Sequence, residues 1–208
     1  MTTIILIRHG QTAYNASHRY VGFSNPPLNE KGQWQIQRLA GELQNKAVNK
    51  VYSSDLLRAH QSATILFEQQ ITKLPAFREM NFGIFEGLNY QEIMSHHSQI
   101  YQKWITAPEK VKIPQGESLQ EVTCRVNHQL KLLLKEHTDQ TIAIVTHSGP
   151  IKIILSAVLK AELNDIFWDI EQKNSALNII DYRNPSAPKI IDQNNYSHLT
   201  KKRSACFA

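Results

Sequence analysis

Two stretches of this chain share a pattern that limits its fold more than any other feature. Thr3-Ile4-Ile5-Leu6-Ile7 and Thr141-Ile142-Ala143-Ile144-Val145-Thr146 are continuous apolar runs rich in β-branched residues. Continuous rather than alternating hydrophobicity is how a strand buried on both faces of a parallel sheet reads. The first run passes into Arg8-His9-Gly10 and the second into His147-Ser148-Gly149. In open α/β sheets the ligand crevice lies at the carboxyl ends of the strands. The two histidines are therefore candidates to meet in one pocket. Each leads through glycine into a following helix, whose free backbone N–H groups favour an anion. The plain alternative is a pair of structural histidines closing two strands; the adjacent Arg8 weighs against it.

The rest of the chain alternates in the same way. Val48–Ser53 is a weaker strand candidate, and Ala176–Tyr182 and Lys189–Ile191 read as late strands near a sheet edge, with prolines between them. Asn29 can cap a helix carrying Ile36, Leu39, Ala40 and Leu43, and Leu56–Gln69 is a second helix. Ser118-Leu119-Gln120-Glu121 has the capping-box form, followed by a helical stripe of Leu119, Val122, Val126, Leu130 and Leu133. Pro150–Leu159 follows the second buried strand. Strands alternating with helices argue for an α/β layered fold with a mainly parallel sheet. The polar, aromatic-dotted stretch 88–115 reads as a small helical cap over the sheet edge, within a single domain of 208 residues.

Composition narrows the class of partner. At 41% hydrophobic and 20% charged residues the chain can bury a core, so disorder is not expected. No apolar run approaches a membrane span, the start lacks a signal-peptide pattern, and two cysteines cannot build a disulfide scaffold. A soluble protein of a reducing cytoplasm is expected, with no membrane partner. The net charge of +5 suits anions, yet the basic residues are scattered rather than striped, so no nucleic-acid partner is expected. The cluster Lys201-Lys202-Arg203 reads as a solvated tail.

Arg58 falls in the first turn of the helix after the third strand, where positive charge opposes the helix dipole. A bound anion removes that conflict; pairing with Asp55 is the plain alternative. Two arginines and two histidines around one crevice suit a phosphate ester. Arginine donates bidentately to phosphate oxygens, and a neutral imidazole beside arginine charge can attack phosphorus. These residues leave unassigned the acid that protonates the leaving oxygen.

The run Leu6-Ile7-Arg8-His9-Gly10-Gln11-Thr12-Ala13-Tyr14-Asn15 resembles the signature of the histidine phosphatase superfamily, also called phosphoglycerate mutase-like. The resemblance continues through Pro27–Gly32, Ser53–Ala59, Arg78–Gly83, Phe85-Glu86-Gly87 and Val145–Gly149, in family order to about Tyr182. It implies a three-layer α/β/α sandwich with a mainly parallel, mixed central sheet and a small helical cap. His9 would be the nucleophile that becomes phosphohistidine. Arg8, Arg58 and His147 would bind and stabilise the phosphoryl group, and Asn15 would add a contact. Glu79 falls where the family keeps its general acid, a role helped by burial or apolar neighbours such as Phe82. Gln11 stands where glutamate is common.

The resemblance implies a metal-independent phosphomonoesterase with no cofactor, acting on a small-molecule phosphate ester. Bisphosphoglycerate-dependent mutases carry a longer, more basic insertion after Phe82–Asn89 than this chain does, so hydrolysis is the expectation. A non-catalytic phospho-ligand binder is a further alternative, disfavoured because the full residue set is present. Arg78–Gly87 followed by Pro114-Gln115-Gly116-Glu117-Ser118 is most similar to α-ribazole-5′-phosphate phosphatases of cobalamin assembly, and broad-specificity phosphatases share much of it. The cap aromatics suit an ester bearing a flat apolar group.

Other candidates are set aside. The remaining histidines show no metal-ligand spacing; His96-His97 read as a solvated helix face. Phe85, Tyr101 and Trp104 read as packing rather than pocket lining. Cys124 is expected to be buried near its helix's inward stripe. Oligomeric state is not legible in these features.

Overall fold

The computed structural model of this chain describes residues 2–162 and 167–200. At its centre is β1 (Thr3–Arg8), paired in parallel with β4 (Thr141–Thr146) in the register Ile5↔Ala143 and Arg8↔Thr146. β2 (Lys50–Ser53) lies parallel to β4 on its other side, and β3 (Ile71–Lys73) is parallel to β2 at one edge. β5 (Leu177–Asp181) pairs antiparallel with β1, and β6 (Lys189–Asn195) closes the other edge antiparallel to β5. The order β3-β2-β4-β1-β5-β6 makes one mixed sheet, mainly parallel. β3 was not expected from sequence, because three residues with two exposed carry no readable period.

The continuous apolar runs are explained by a core on each face. Ile4, Leu6, Ile142 and Ile144 pack into one cluster. That cluster also takes residues from α5 (Leu119–Glu136) and α6 (Ser148–Leu159). Ile5, Ile7, Ala143 and Val145 pack into another. There they meet Leu39 and Leu43 of α2 (Glu30–Leu43) and Ala63 of α3 (Leu57–Leu66). This is the expected three-layer α/β/α arrangement. The helix starts are capped as their sequences suggest: the Asn29 side chain accepts from Gly32 N–H, and Ser118 and Glu121 form a capping box. A short helix, α1 (Ala13–Ala16), follows β1 with its own box between Thr12 and Asn15.

The 88–115 stretch contains α4 (Tyr90–Thr106), capped by Asn89 with Glu92 and broken in regularity at His97. Tyr101 and Trp104 on α4 are buried with Phe77, Met80 and Phe85 in the first cluster. They are packing residues. His96 is exposed and His97 half-buried. Cys124 is exposed, contrary to expectation. Two residues past Val122 place it about 200° around the helix, on the opposite side from the buried stripe. No helix among the described residues is long and apolar enough to cross a membrane. The basic tail segment lies outside the described residues.

Candidate active site

The parallel register carries both histidines to one place. His9 and His147 each follow the last residue of a paired strand, and the His9 N–H donates to the Thr146 carbonyl at 3.0 Å. Their rings stand edge to face, 5.0 Å between centroids. Both are buried, at 3% and 0% exposure. His9 Nδ1 lies 2.7 Å from the Gly10 carbonyl oxygen. A carbonyl only accepts, so Nδ1 holds the proton and Nε2 keeps its lone pair. Arg58 Nε donates to that Nε2 at 3.3 Å, which requires the same tautomer.

A second chain of hydrogen bonds orients His147. The Leu56 N–H donates to Ser54 Oγ at 3.3 Å, and Ser54 Oγ lies 2.9 Å from His147 Nε2. The Ser54 hydroxyl thus links the start of α3 to the His147 ring. The other ring nitrogen, His147 Nδ1, is buried without a partner among the described residues. Arg8 Nε is likewise buried without a partner among them. Burial first, and then the Arg58 charge, holds both imidazoles well below the ordinary histidine range; Arg8 adds to this. Both rings are neutral at neutral pH.

Arg58 is fully buried in the first turn of α3. Burial lowers its pKa to about 10, which leaves it charged at neutral pH. It does not pair with Asp55. That carboxylate takes Arg78 bidentately, at 2.7 and 2.5 Å. Arg58 donates instead to the carbonyls of Val21, Gly22 and Ser24. Arg8 donates Nη1 to the Gln172 carbonyl. The Gln172 and Asn178 amides hold each other in reciprocal bonds of 3.1 and 2.9 Å.

Glu79 is 8% exposed and sits at the start of α6, where the Gly149 N–H donates to both carboxylate oxygens at 3.1 and 3.2 Å. A Cβ on residue 149 would stand 2.2 Å from Glu79 Oε1, so only glycine lets the carboxylate approach. The backbone around Glu79 is clamped by Arg125, which donates to the carbonyls of Ala76, Arg78 and Glu79. Arg125 also pairs with Glu117, whose carboxylate accepts from the Asn81 N–H at 2.8 Å. Asn15 spends its Oδ1 on the Thr12 N–H and hydroxyl, so its NH₂ is the end available to a ligand.

Arg8, His9, Asn15 and Glu79 open onto one cavity of about 670 Å³. Arg58 and His147 are buried and meet it through His9, to which both are adjacent. Sequence reasoning did not find the polar wall formed by His18, Arg19 and the segment Glu171–Asn174, which carries no motif. It also missed Ser54 and Gly149 as orienting groups, although both lie inside quoted motifs. The aromatic wall is Tyr20 and Phe82, not the cap residues Tyr101 and Trp104. Tyr101 and Trp104 are buried in the core and do not line the cavity.

Neutral imidazoles, buried guanidinium charge and a carboxylate, gathered where parallel strands end, define a site suited to phosphoryl groups. The chain belongs to the histidine phosphatase superfamily (branch 1), whose family model matches residues 4–195. It is a phosphatase of that family. It is 31% identical over 183 residues to phosphoserine phosphatase 1 of Hydrogenobacter thermophilus, covering 86% of each chain. Its fold matches the YhfR protein of Bacillus stearothermophilus with a TM-score of 0.89 and 26% identity, over 96% of this chain and 100% of that one. It also matches the α-ribazole phosphatase of Shigella flexneri, with a TM-score of 0.85 and 25% identity, over 93% of this chain and 96% of that one.

Proposed function

We propose that this chain hydrolyses a small, polar phosphate monoester without a metal ion, through a phosphohistidine on His9. The observation that carries the reading is the fixed tautomer of His9, whose unprotonated Nε2 accepts a long bond of 3.3 Å from the Arg58 guanidinium. The Nε2 lone pair attacks phosphorus as the P–O bond to the alcohol breaks, and Glu79 gives its proton to the departing oxygen. The Glu79 carboxylate then takes a proton from water as that water attacks phosphorus. The N–P bond breaks, releasing inorganic phosphate, free His9 and protonated Glu79. Arg8 and Arg58 hold the equatorial oxygens, with His147 and the NH₂ of Asn15 as further contacts. A donor set of guanidinium and N–H groups suits an anion and repels a cation.

Two esters bracket the substrate. α-Ribazole-5′-phosphate carries a flat heterocycle, whereas phosphoserine is small and zwitterionic. Arg19, Glu171 and Lys173 on the cavity wall, with only two aromatic rings, support the small polar class. The resemblance to the Hydrogenobacter phosphoserine phosphatase supports the same class. We take the chain to work as one domain, with α4 as its cap.

The test is a panel of phosphoserine, α-ribazole-5′-phosphate, 3-phosphoglycerate and an aryl phosphate, assayed with chelator present. The wild-type protein is expected to release phosphate, with the largest kcat/KM on phosphoserine. H9A is expected to lose about 1,000-fold or more, the scale of a removed nucleophile. Chelator-sensitive turnover, or an active H9A protein, overturns the mechanism. Isomerisation of 3-phosphoglycerate without hydrolysis would establish the mutase instead, and phosphate binding without turnover a phospho-ligand binder.

A further inference from the structure

Glu86 belongs to the Phe85-Glu86-Gly87 motif, yet no step above uses it. Its carboxylate accepts four backbone N–H groups. Oε1 takes Phe23 at 2.8 Å and Phe82 at 3.0 Å; Oε2 takes Gly22 and Ser24, each at 3.1 Å. Three of the four come from one short loop, residues 22–24. The same loop turns its carbonyls the other way. Gly22 and Ser24 accept from the Arg58 guanidinium at 2.8 Å each, and Val21 accepts at 3.3 Å. Gly22 cannot be replaced without disturbance, since a Cβ there would stand 1.9 Å from the Met80 carbonyl and 2.4 Å from Glu86 Oε1.

We infer that Glu86 is a positioning residue for Arg58, acting through the 21–24 loop. The inference rests on the anion-binding role of Arg58 proposed above. A layer of peptide groups stands between a carboxylate and a guanidinium, N–H groups toward the negative end and carbonyls toward the positive end. Each charge orients the loop for the other, because a carboxylate bonded by several N–H groups is strongly held. The separation has a chemical consequence. A carboxylate bonded directly to Arg58 would neutralise the charge that a phosphoryl group needs. Carbonyls carry no net charge, so Arg58 is fixed in place while its positive charge stays available to the anion. The charge on Glu86 also raises the pKa of Arg58 against the lowering by burial, in keeping with this geometry.

A general loop anchor and a positioning residue differ in how they couple to Arg58. The experiment is a double-mutant cycle with E86Q and R58K, read as the Kd of inorganic phosphate by calorimetry and as kcat/KM on an aryl phosphate. Glutamine keeps one carbonyl oxygen but turns an NH₂ toward N–H donors, so the loop loses its fixed orientation. E86Q alone is expected to weaken phosphate binding about 10-fold, the usual scale for misplacing one charge-assisted contact. In the R58K background, where the guanidinium fork is gone, E86Q is expected to change the Kd less than about 2-fold. Equal losses in both backgrounds, or an unchanged Kd in folded E86Q, overturn the inference. If E86Q melts below the assay temperature, E86D goes through the same cycle with the same two outcomes. Absent turnover with intact phosphate coupling would overturn the hydrolytic reading and leave this one standing.

Discussion

At the scale of single residues, the two histidines are governed by where their protons sit. Both are held neutral by burial and by arginine charge, so their folded-state pKa values lie well below the unfolded value near 6.5. Below pH 6.5 the unfolded chain binds protons that the folded chain refuses. Stability is therefore level above that pH and falls as pH drops towards the folded-state values. At pH 5.5 each histidine is expected to cost about 1.4 kcal/mol relative to pH 7.5. That window lies above the range where the lowered carboxylates Asp55 and Asp181 titrate. Urea unfolding of wild type and H147N at both pH values checks this. H147N is expected to lose less on acidification, and equal losses would show that His147 is not buried neutral.

Among elements, helix α6 carries an argument that neither a residue nor the fold makes alone. Its first turn offers N–H groups at a strand end, and the sequence pattern suggested that they face the phosphoryl anion. One of them, the Gly149 N–H, meets Glu79, while Ser148 of the same turn lines the cavity. The helix start thus fixes the carboxylate. G149A forces a Cβ to within 2.2 Å of Glu79 Oε1 and so displaces the carboxylate. A displacement of this size is expected to lower kcat on alkyl phosphates about 100-fold. The loss should be much smaller on an aryl phosphate, whose leaving group needs no proton. Equal kcat losses on the two esters would count against Glu79 as the acid.

For the molecule as a whole, α4 is part of the core. Trp104 is 1% exposed and its ring lies about 6 Å from those of Tyr20 and Phe82, the two aromatic residues on the cavity wall. W104A is expected to lose about 3–5 kcal/mol, the range for truncating a large buried aromatic side chain. Wild type should unfold in a single urea transition followed equally by far-ultraviolet circular dichroism and tryptophan fluorescence. Separate transitions for the two signals would show that the cap folds independently of the sheet.

The layered α/β fold was legible because burial on both faces leaves continuous apolar runs, and the first and fourth strands are the two longest such runs. His9 and His147 were legible for the same reason, since a strand end in a parallel sheet has a known side. The three-residue β3 was not, because so short a segment carries no readable period, whereas the exposure of Cys124 follows from the helical period of its own stripe. What the chain alone determined is the set of chemical groups and the strand ends that carry them. Which group meets which was decided only in three dimensions. Arg58 passes over the nearby Asp55 for three carbonyls of the 21–24 loop, and Gly149 gives its N–H to Glu79. Hydrogen bonds form between atoms within about 3 Å, and that proximity is set by packing between segments far apart in sequence, which no local pattern encodes.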